Sequence, residues 1–313
     1  MSNFIISLDF ELFWGVSDSR TIADYGKNIE GVWSAIPKML ELFKKYDIHA
    51  TWATVGMLMC RDYNHWQQIR PDILPSYLNQ KYSNYALDVE IIKRHPNLFF
   101  ARPLVQQIQN TPHQEIAAHT YSHFYCGEPG VTFEQFKQDL ICAQHIATEM
   151  DISLQSIVFP GNQIKDEFLQ QLPALGIKAY RGEQNYWPSP RKIPGRAIRF
   201  ADTWLPLSRN PVIRTINPNA ELINIPASRF LRPCSLRFKV FESLRLKRLK
   251  IAMSEAARTS NTLHLWWHPH NFGINLTENL AFLESLLQHY QFLQNQYGMK
   301  SLSMAEFAQL SVD

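Results

Sequence analysis

No part of this 313-residue chain approaches the roughly 18 consecutive apolar residues that a membrane-spanning helix requires. Its start, MSNFIISLDFELFWG, has no basic leader and no small-residue cleavage site, so no secretory signal is expected and a cytoplasmic location follows as an expectation. Cysteines are few: four, at 60, 126, 142 and 234, far apart and without a CxxC pair, which suggests free thiols in a reducing compartment. Neither sign of charge dominates. The net value of +3 is too small to argue for a nucleic-acid partner. A glycine-rich phosphate turn is missing after the first apolar run, where the chain reads DFELFWG, and this disfavours a dinucleotide-binding fold.

What is present is ordinary globular composition, 45% hydrophobic and 19% charged, with no internal repeat or low-complexity segment. Short β-rich runs alternate with helical patterns. Strands are expected at FIISLDF (4–10), HATWATVG (49–56), EIAAHTY (115–121), SIVFPG (156–161), KAYRG (178–182), LINIPAS (222–228) and TLHLWWH (262–268). Val32, Ile36, Met39, Leu40 and Phe43 recur at helical spacing over 31–46. Thr132 and Gln135 have capping-box spacing at the head of a helix running to about 150. Further helices are expected over 165–172, 239–258 and 277–296, and residues 60–113 read as a long insertion with weak periodicity. Seven strand–helix units imply a parallel sheet closed as an α/β barrel in one domain spanning 1–313, with an open doubly wound sheet as the alternative.

In either arrangement functional residues gather at the carboxyl ends of the strands. Asp9 and Glu11 end the first expected strand, His119 and His123 the third, Pro160 and Asn162 the fourth, Arg181 the fifth and His268 the seventh. His119 and His123, four apart, share a face if the chain turns helically after its strand, and neutral imidazoles suit zinc and other first-row ions. Asp9 and Glu11 stand two apart after a wholly apolar FIISL, so two like charges emerge from the core and a cation would relieve their repulsion. Two histidines and one carboxylate also fit a non-haem iron oxygenase. The spare carboxylate favours hydrolysis, which needs a base beside an activated water. In His264-Leu-Trp266-Trp267-His268-Pro-His270, residues 264, 266 and 268 share one strand face, and Trp267 takes the other. His268 is the candidate second acid/base group, His270 its possible substitute, and His264, deeper in the strand, is read as structural. Cys126, three residues past His123, is read as a small buried residue and not as a ligand.

SLDFE together with His119-Thr120-Tyr121-Ser122-His123 resembles the motifs of the polysaccharide deacetylases, the NodB-like carbohydrate esterases, in their Asp-x-Glu branch. The likeness extends from residue 4 to about 310 and implies a distorted (β/α)7 barrel. Carried over, it implies Glu11, His119 and His123 as ligands of a divalent metal, zinc above cobalt or nickel, with Asp9 as general base and His268 as general acid. Two departures stand out. The third motif reads Phe159-Pro160-Gly161-Asn162-Gln163 without the arginine that orients the base in the family, a place Arg181 could fill from the next strand. The fourth motif has Trp187 after Tyr186 but no matching aspartate.

Trp14, Tyr125, Trp187 and Trp267 sit near expected strand ends, where aromatic faces stack on sugar rings. Together with Pro160, Asn162, Arg181 and His270 they form the expected substrate-binding set. Between Arg229 and Lys250 eight basic residues face only Glu242, a stretch that suits lipid phosphates or a pyrophosphate-linked sugar, and also suits a solvated helix face. The expected substrate is thus an N-acetylated sugar, a precursor of a surface polysaccharide in lipid- or nucleotide-linked form. A deformylase, an allantoinase-like amide hydrolase and a catalytically silent carbohydrate-binding barrel are the rival expectations.

Overall fold

The computed structural model describes residues 1–183 and 220–310. Its strands are β1 (Asn3–Phe10), β2 (Ala50–Thr54), β3 (Gln114–Ala118), β4 (Ser156–Ile157), β5 (Ala179–Tyr180), β6 (Ile223–Asn224), β7 (Arg229–Phe230), β8 (Thr262–Trp267) and β9 (Lys300–Leu302). Every pairing is parallel, in the order β6-β5-β4-β3-β2-β1-β8-β7, with β9 added beside β1. Among the described residues the sheet curls into a barrel without pairing between β6 and β7, ringed by helices: the α/β barrel that the alternating pattern predicts, with the distortion that the family resemblance implies.

Two strand expectations change in detail. The run expected over 222–228 holds only the two-residue β6, ended before Pro226, which has no N–H to give to a ladder, and β7 follows just beyond it. β9, three residues long, shows no apolar run of its own, and the sequence pattern does not predict it. Among the helices, the pattern over 31–46 corresponds to α2 (Val32–Lys45), and a separate α1 (Ile22–Glu30) precedes it. The 60–113 segment holds α3 (Tyr63–Gln68), α4 (Val89–Arg94) and α5 (Arg102–Gln109). Then come α6 (Phe133–Thr148), α7 (Asp166–Leu169), α8 (Glu242–Arg258), α9 (Leu276–Tyr297) and α10 (Met304–Leu310). Thr132 caps α6 with both halves of the capping box formed, as its spacing to Gln135 predicts.

The two-residue period of the strands sorts the core. Phe4, Ile6, Leu8 and Phe10 of β1, with Leu263, Leu265 and Trp267 of β8, join the large cluster between sheet and helices. The alternate residue Ile5 meets Ala53, Val158, Ala179, Ile223 and Ile225 inside the barrel, under Met304 and Phe307 of α10. Continuing that inner face along β1 brings Ser7 and then Asp9; along β8 it brings His264 and Trp266. The apolar plug therefore fills one end of the barrel, and polar side chains line the other. Where the turn after β8 crosses the turn between α1 and α2, a Cβ on Gly273 would sit 1.9 Å from the Asn28 carbonyl and one on Gly31 2.0 Å from the Gly273 carbonyl, so both positions admit only glycine.

The basic stretch is less exposed than its composition suggests. Arg229, Arg245 and Arg248 are buried. Arg245 pairs with Glu242, bonds the Arg232 carbonyl and lies over the Phe282 ring at 4.0 Å. The outward positions of this region include Val240, Leu244, Lys247 and Ile251. Among the described residues no helix is long and apolar enough to cross a membrane. The four cysteines are free.

Candidate active site

The carboxylates of Asp9 and Glu11 lie at the carboxyl end of β1, each residue 3% exposed. Two ionised carboxylates so far from water demand compensation, and each finds a different kind. Arg181, just beyond β5, grips Asp9 with both amino groups, Nη1 donating to Oδ1 at 2.6 Å and Nη2 to Oδ2 at 2.7 Å. Burial pushes the Asp9 carboxyl up, but the Arg181 charge and hydrogen bonds outweigh it and, with His119 and His268, hold it below the ordinary range. Burial likewise raises Glu11, and the charge of His268, with His119 and His123 beside it, holds it well below.

Arg181 is itself braced. Nη1 also donates to Ser7 Oγ at 3.1 Å and Nη2 to Asn162 Oδ1 at 3.0 Å. Its guanidinium lies 4.3 Å from the Trp266 ring centroid. Ser7 Oγ in turn meets His264 Nε2 at 2.9 Å, and His264 Nδ1 donates to the Pro226 carbonyl at 3.2 Å. Burial, then the charge of Arg181, pushes His264 down to about 3, so this ring stays neutral and acts as a strut. The sequence places Arg181 and Asn162 among substrate-binding residues. In the structure Arg181 pairs with Asp9, and Asn162 accepts a bond from Arg181.

His119 and His123 converge on the other carboxylate. Their Nε2 atoms lie 3.3 and 3.1 Å from Glu11 Oε2. The helical turn expected between them is absent. Thr120 and His123 instead take left-handed backbone conformations (φ 59° and 56°), and these two reversals bring the rings to 5.1 Å. The loop is pinned by Asp139 of α6. Its carboxylate accepts from the Tyr121 N–H at 2.6 Å, from the Ser122 N–H at 3.1 Å and from the Ser122 hydroxyl. Burial, opposed by these bonds, pushes Asp139 up to about 6. Sequence reasoning misses Asp139, although one signal is there: an acid on the apolar stripe of α6 formed by Phe136, Leu140 and Ala143.

The donor set fits a divalent cation. His119 Nδ1 is 2.8 Å from the Val158 carbonyl, which can only accept, so Nδ1 carries a proton and the neutral ring presents a lone pair at Nε2. That lone pair faces Glu11 Oε2, another acceptor, and a cation between them removes the conflict. Glu11, His119 and His123 form a group whose ligand atoms lie within 4.8 Å of one another, and Glu11 with His268 and His270 forms a second. Cys126 is in neither.

His268 Nε2 stands 3.8 Å from Asp9 Oδ2 and 3.5 Å from Glu11 Oε1, and its side chain is 23% exposed, the most accessible of the site's histidines. His270 stacks on it at 4.8 Å, is buried, and lies 4.0 Å from Glu11 Oε1. Burial and then the charge of His268 push His270 down to about 3. His270 thus backs the acid candidate instead of facing the opening.

The expected aromatic set needs correction. Trp267 points outward into the core against Phe43 and Phe272, because successive strand residues face opposite ways. Its neighbour Trp266, on the inner face beside Phe230 and 5.6 Å from His268, is the half-buried indole at the site. Trp14 is buried among Trp66, Phe99 and Phe100, with Nε1 donating to the Phe99 carbonyl, so no face is free for a sugar. Pro160 is buried at the head of a tight turn whose Gly161 and Asn162 have positive φ. Tyr125 packs edge-on to His123 at 4.8 Å and does border the site. Trp187 lies outside the described residues.

Comparison with known proteins agrees with the fold. The polysaccharide deacetylase family pattern matches residues 24–180, half of the chain. That span contains His119, His123 and Asp139 but not Asp9, Glu11, Arg181 or His268. A structure from Mycobacterium smegmatis assigned to the polysaccharide deacetylases aligns at TM-score 0.61 and 11% identity, over 99% of this chain and 90% of that one. The Puue allantoinase aligns at 0.54 and 14%, over 98% and 88%, and a Pseudomonas aeruginosa PAO1 structure assigned to the polysaccharide deacetylases at 0.52 and 14%, over 99% and 88%. At these identities the likeness is one of fold. No curated protein matches the sequence.

Replacing Arg181 with alanine leaves Asp9 buried without its partner, at an expected cost of about 3–5 kcal/mol. Because the folded pKa of Asp9 lies below its unfolded value, its contribution is complete above the unfolded value and is lost as pH falls through the lower folded one. Acid unfolding of Arg181→Ala should therefore show a flatter limb below about pH 4 than wild type, which urea melts at successive pH values measure. Asp139→Ala removes no candidate metal ligand but frees the loop that carries two of them, and should weaken metal binding about 10–100-fold in a chelator-competition titration.

Proposed function

The chain belongs to the polysaccharide deacetylase family, hydrolases of amide or ester bonds, and on that premise we propose that it removes an N-acetyl group from a sugar by metal-assisted hydrolysis. The observation that carries this reading is the division of labour between the two carboxylates: Glu11 faces two imidazole nitrogens, and Asp9 faces an arginine. A divalent ion, zinc by the ligand chemistry, would be held by Glu11, His119 and His123 and would supply Lewis acidity to the acetyl carbonyl and a more acidic water.

The remaining chemistry falls to the chain's own side chains. Arg181 keeps Asp9 ionised and fixed in orientation, so Asp9 accepts a proton from the attacking water as its oxygen bonds to the acetyl carbon. A carboxylate held this low is a weak base and acts only on a water already made acidic. His268, across from Asp9, donates a proton to the sugar nitrogen as the C–N bond breaks, and acetate and a free amine leave. His270, neutral and stacked behind His268, limits the positions that ring can take. Trp266 and Phe230 offer the apolar surface on which a sugar ring stacks beside the acid.

A cytoplasmic enzyme of this kind would act on a precursor of a surface polysaccharide, in lipid- or nucleotide-linked form. Contact with an acidic membrane would run through Lys247 and the exposed apolar Val240, Leu244 and Ile251, since the neighbouring arginines at 245 and 248 face inward.

Acetate release from a panel of free, nucleotide-linked and lipid-linked N-acetyl sugars, with N-formyl and cyclic amides alongside, tests the substrate class. Turnover of only the last two groups would overturn the deacetylase reading. Asp9→Asn should retain the metal and lose about 10²–10⁴-fold in kcat. His268→Ala should lower kcat by a similar factor with metal content unchanged. Equal loss of metal in that variant would make His268 a ligand and not an acid.

A further inference from the structure

A second cluster of ligating side chains stands at the other end of the barrel, where β2 and β3 begin. Asp47, His49 and His113 bring one carboxylate oxygen and one nitrogen from each ring within 4.8 Å of one another. The two imidazoles stack face to face, with centroids 4.0 Å apart and planes 1° from parallel. His113 Nε2 lies 3.7 Å from Asp47 Oδ1. Both Asp47 and His113 hold positive φ (50° and 63°), conformations that side-chain-bearing residues seldom adopt, and both flank the first ladder bond, from the Ala50 N–H to the His113 carbonyl at 3.2 Å. Two tight backbone reversals thus bring three donor groups together, and the parallel rings tilt out of their stack for both lone pairs to reach one ion.

The decisive feature is behind His49. Its Nδ1 lies 2.8 Å from both oxygens of Glu306, on α10, and Glu306 is itself fixed by the Ser303 N–H at 2.8 Å. A carboxylate on Nδ1 sets the tautomer, leaves the Nε2 lone pair for a metal and raises its basicity, as an outer carboxylate does behind a ligating histidine. The His49 side chain is 19% exposed and those of His113 and Asp47 are 48% and 68%, so an ion reaches the donors from solvent and water completes its coordination.

We propose that Asp47, His49 and His113 form a second divalent-metal site, backed by Glu306, that takes a borderline ion such as Zn²⁺ or Ni²⁺ and fastens the C-terminal helix to the feet of β2 and β3. Two neutral imidazoles and one carboxylate select such ions over Mg²⁺ or Ca²⁺. The site shares no residue with the cluster around Glu11, so it stands whether or not the deacetylase reading does.

Calorimetric titration of the metal-free full-length protein with Zn²⁺ tests it. Wild type should bind two equivalents. The double variant His119→Ala/His123→Ala should keep one, and adding His113→Ala to it should remove that one. His113→Ala alone should retain one equivalent and leave turnover of the loaded enzyme unchanged. Asp47→Asn, a mild change at an exposed position, should lower the affinity of the second equivalent, and Glu306→Gln should lower it about 10–100-fold. In the double variant, saturating Zn²⁺ should raise Tm, and this rise should vanish with His113→Ala. The proposal is overturned if the double variant binds no Zn²⁺ or Ni²⁺, or if His113→Ala binds the same number of equivalents with the same affinity as wild type.

Discussion

Asp9 and Glu11 end the central strand with almost no contact with water, and the architecture around them serves to keep two neighbouring carboxylates charged. Two like charges this close and this buried cannot persist unaided. One receives a bidentate guanidinium and the other a pair of imidazoles, so two residues with the same chemistry acquire different tasks. Asp9 is held, and Glu11 is left with acceptors facing it, which is the condition for recruiting a cation.

Holding Asp9 takes the polar end of the barrel's inner face. Arg181 reaches it from β5 while resting on Trp266 of β8, and its remaining bonds go to Ser7 of β1 and to Asn162 after β4. His264 closes the chain of bonds below Ser7. Residues from four strands therefore fix one carboxylate, and no local segment contains more than two of them. The same holds on the metal side, where Asp139, on the helix after the His119–His123 loop, sets the loop's shape through its backbone N–H groups.

Much of the fold and of the candidate site is legible in the amino-acid sequence. The alternation of apolar runs with helical patterns implies a parallel barrel, and the barrel implies that strand ends converge, which singles out Asp9, Glu11, His119, His123 and His268. Those residues lie in short motifs, so spacing alone groups them. Trp266 is legible in principle, because strand parity puts it with His264 and His268. The aromatic expectation falls instead on Trp267, whose parity sends it into the core, and on Trp14, whose indole is consumed by Trp66, Phe99 and Phe100. The cluster of Asp47, His49 and His113 is not legible, because His113 stands far along the chain from the other two and only His49 lies within an expected strand.

The sequence by itself determined the strand–helix alternation, the positions of the motifs at strand ends and the sets of residues on each strand face, because these follow from local periodicity and from steric rules that reach only a few residues. Tertiary structure decided which partner each ionised group received. Asp9 receives its arginine from the end of β5, and the separation of residues 9 and 181 along the chain says nothing of their distance in space. Electrostatic compensation of a buried charge depends on separations of a few ångströms between side chains carried by different strands, and only the closing of the barrel sets those separations.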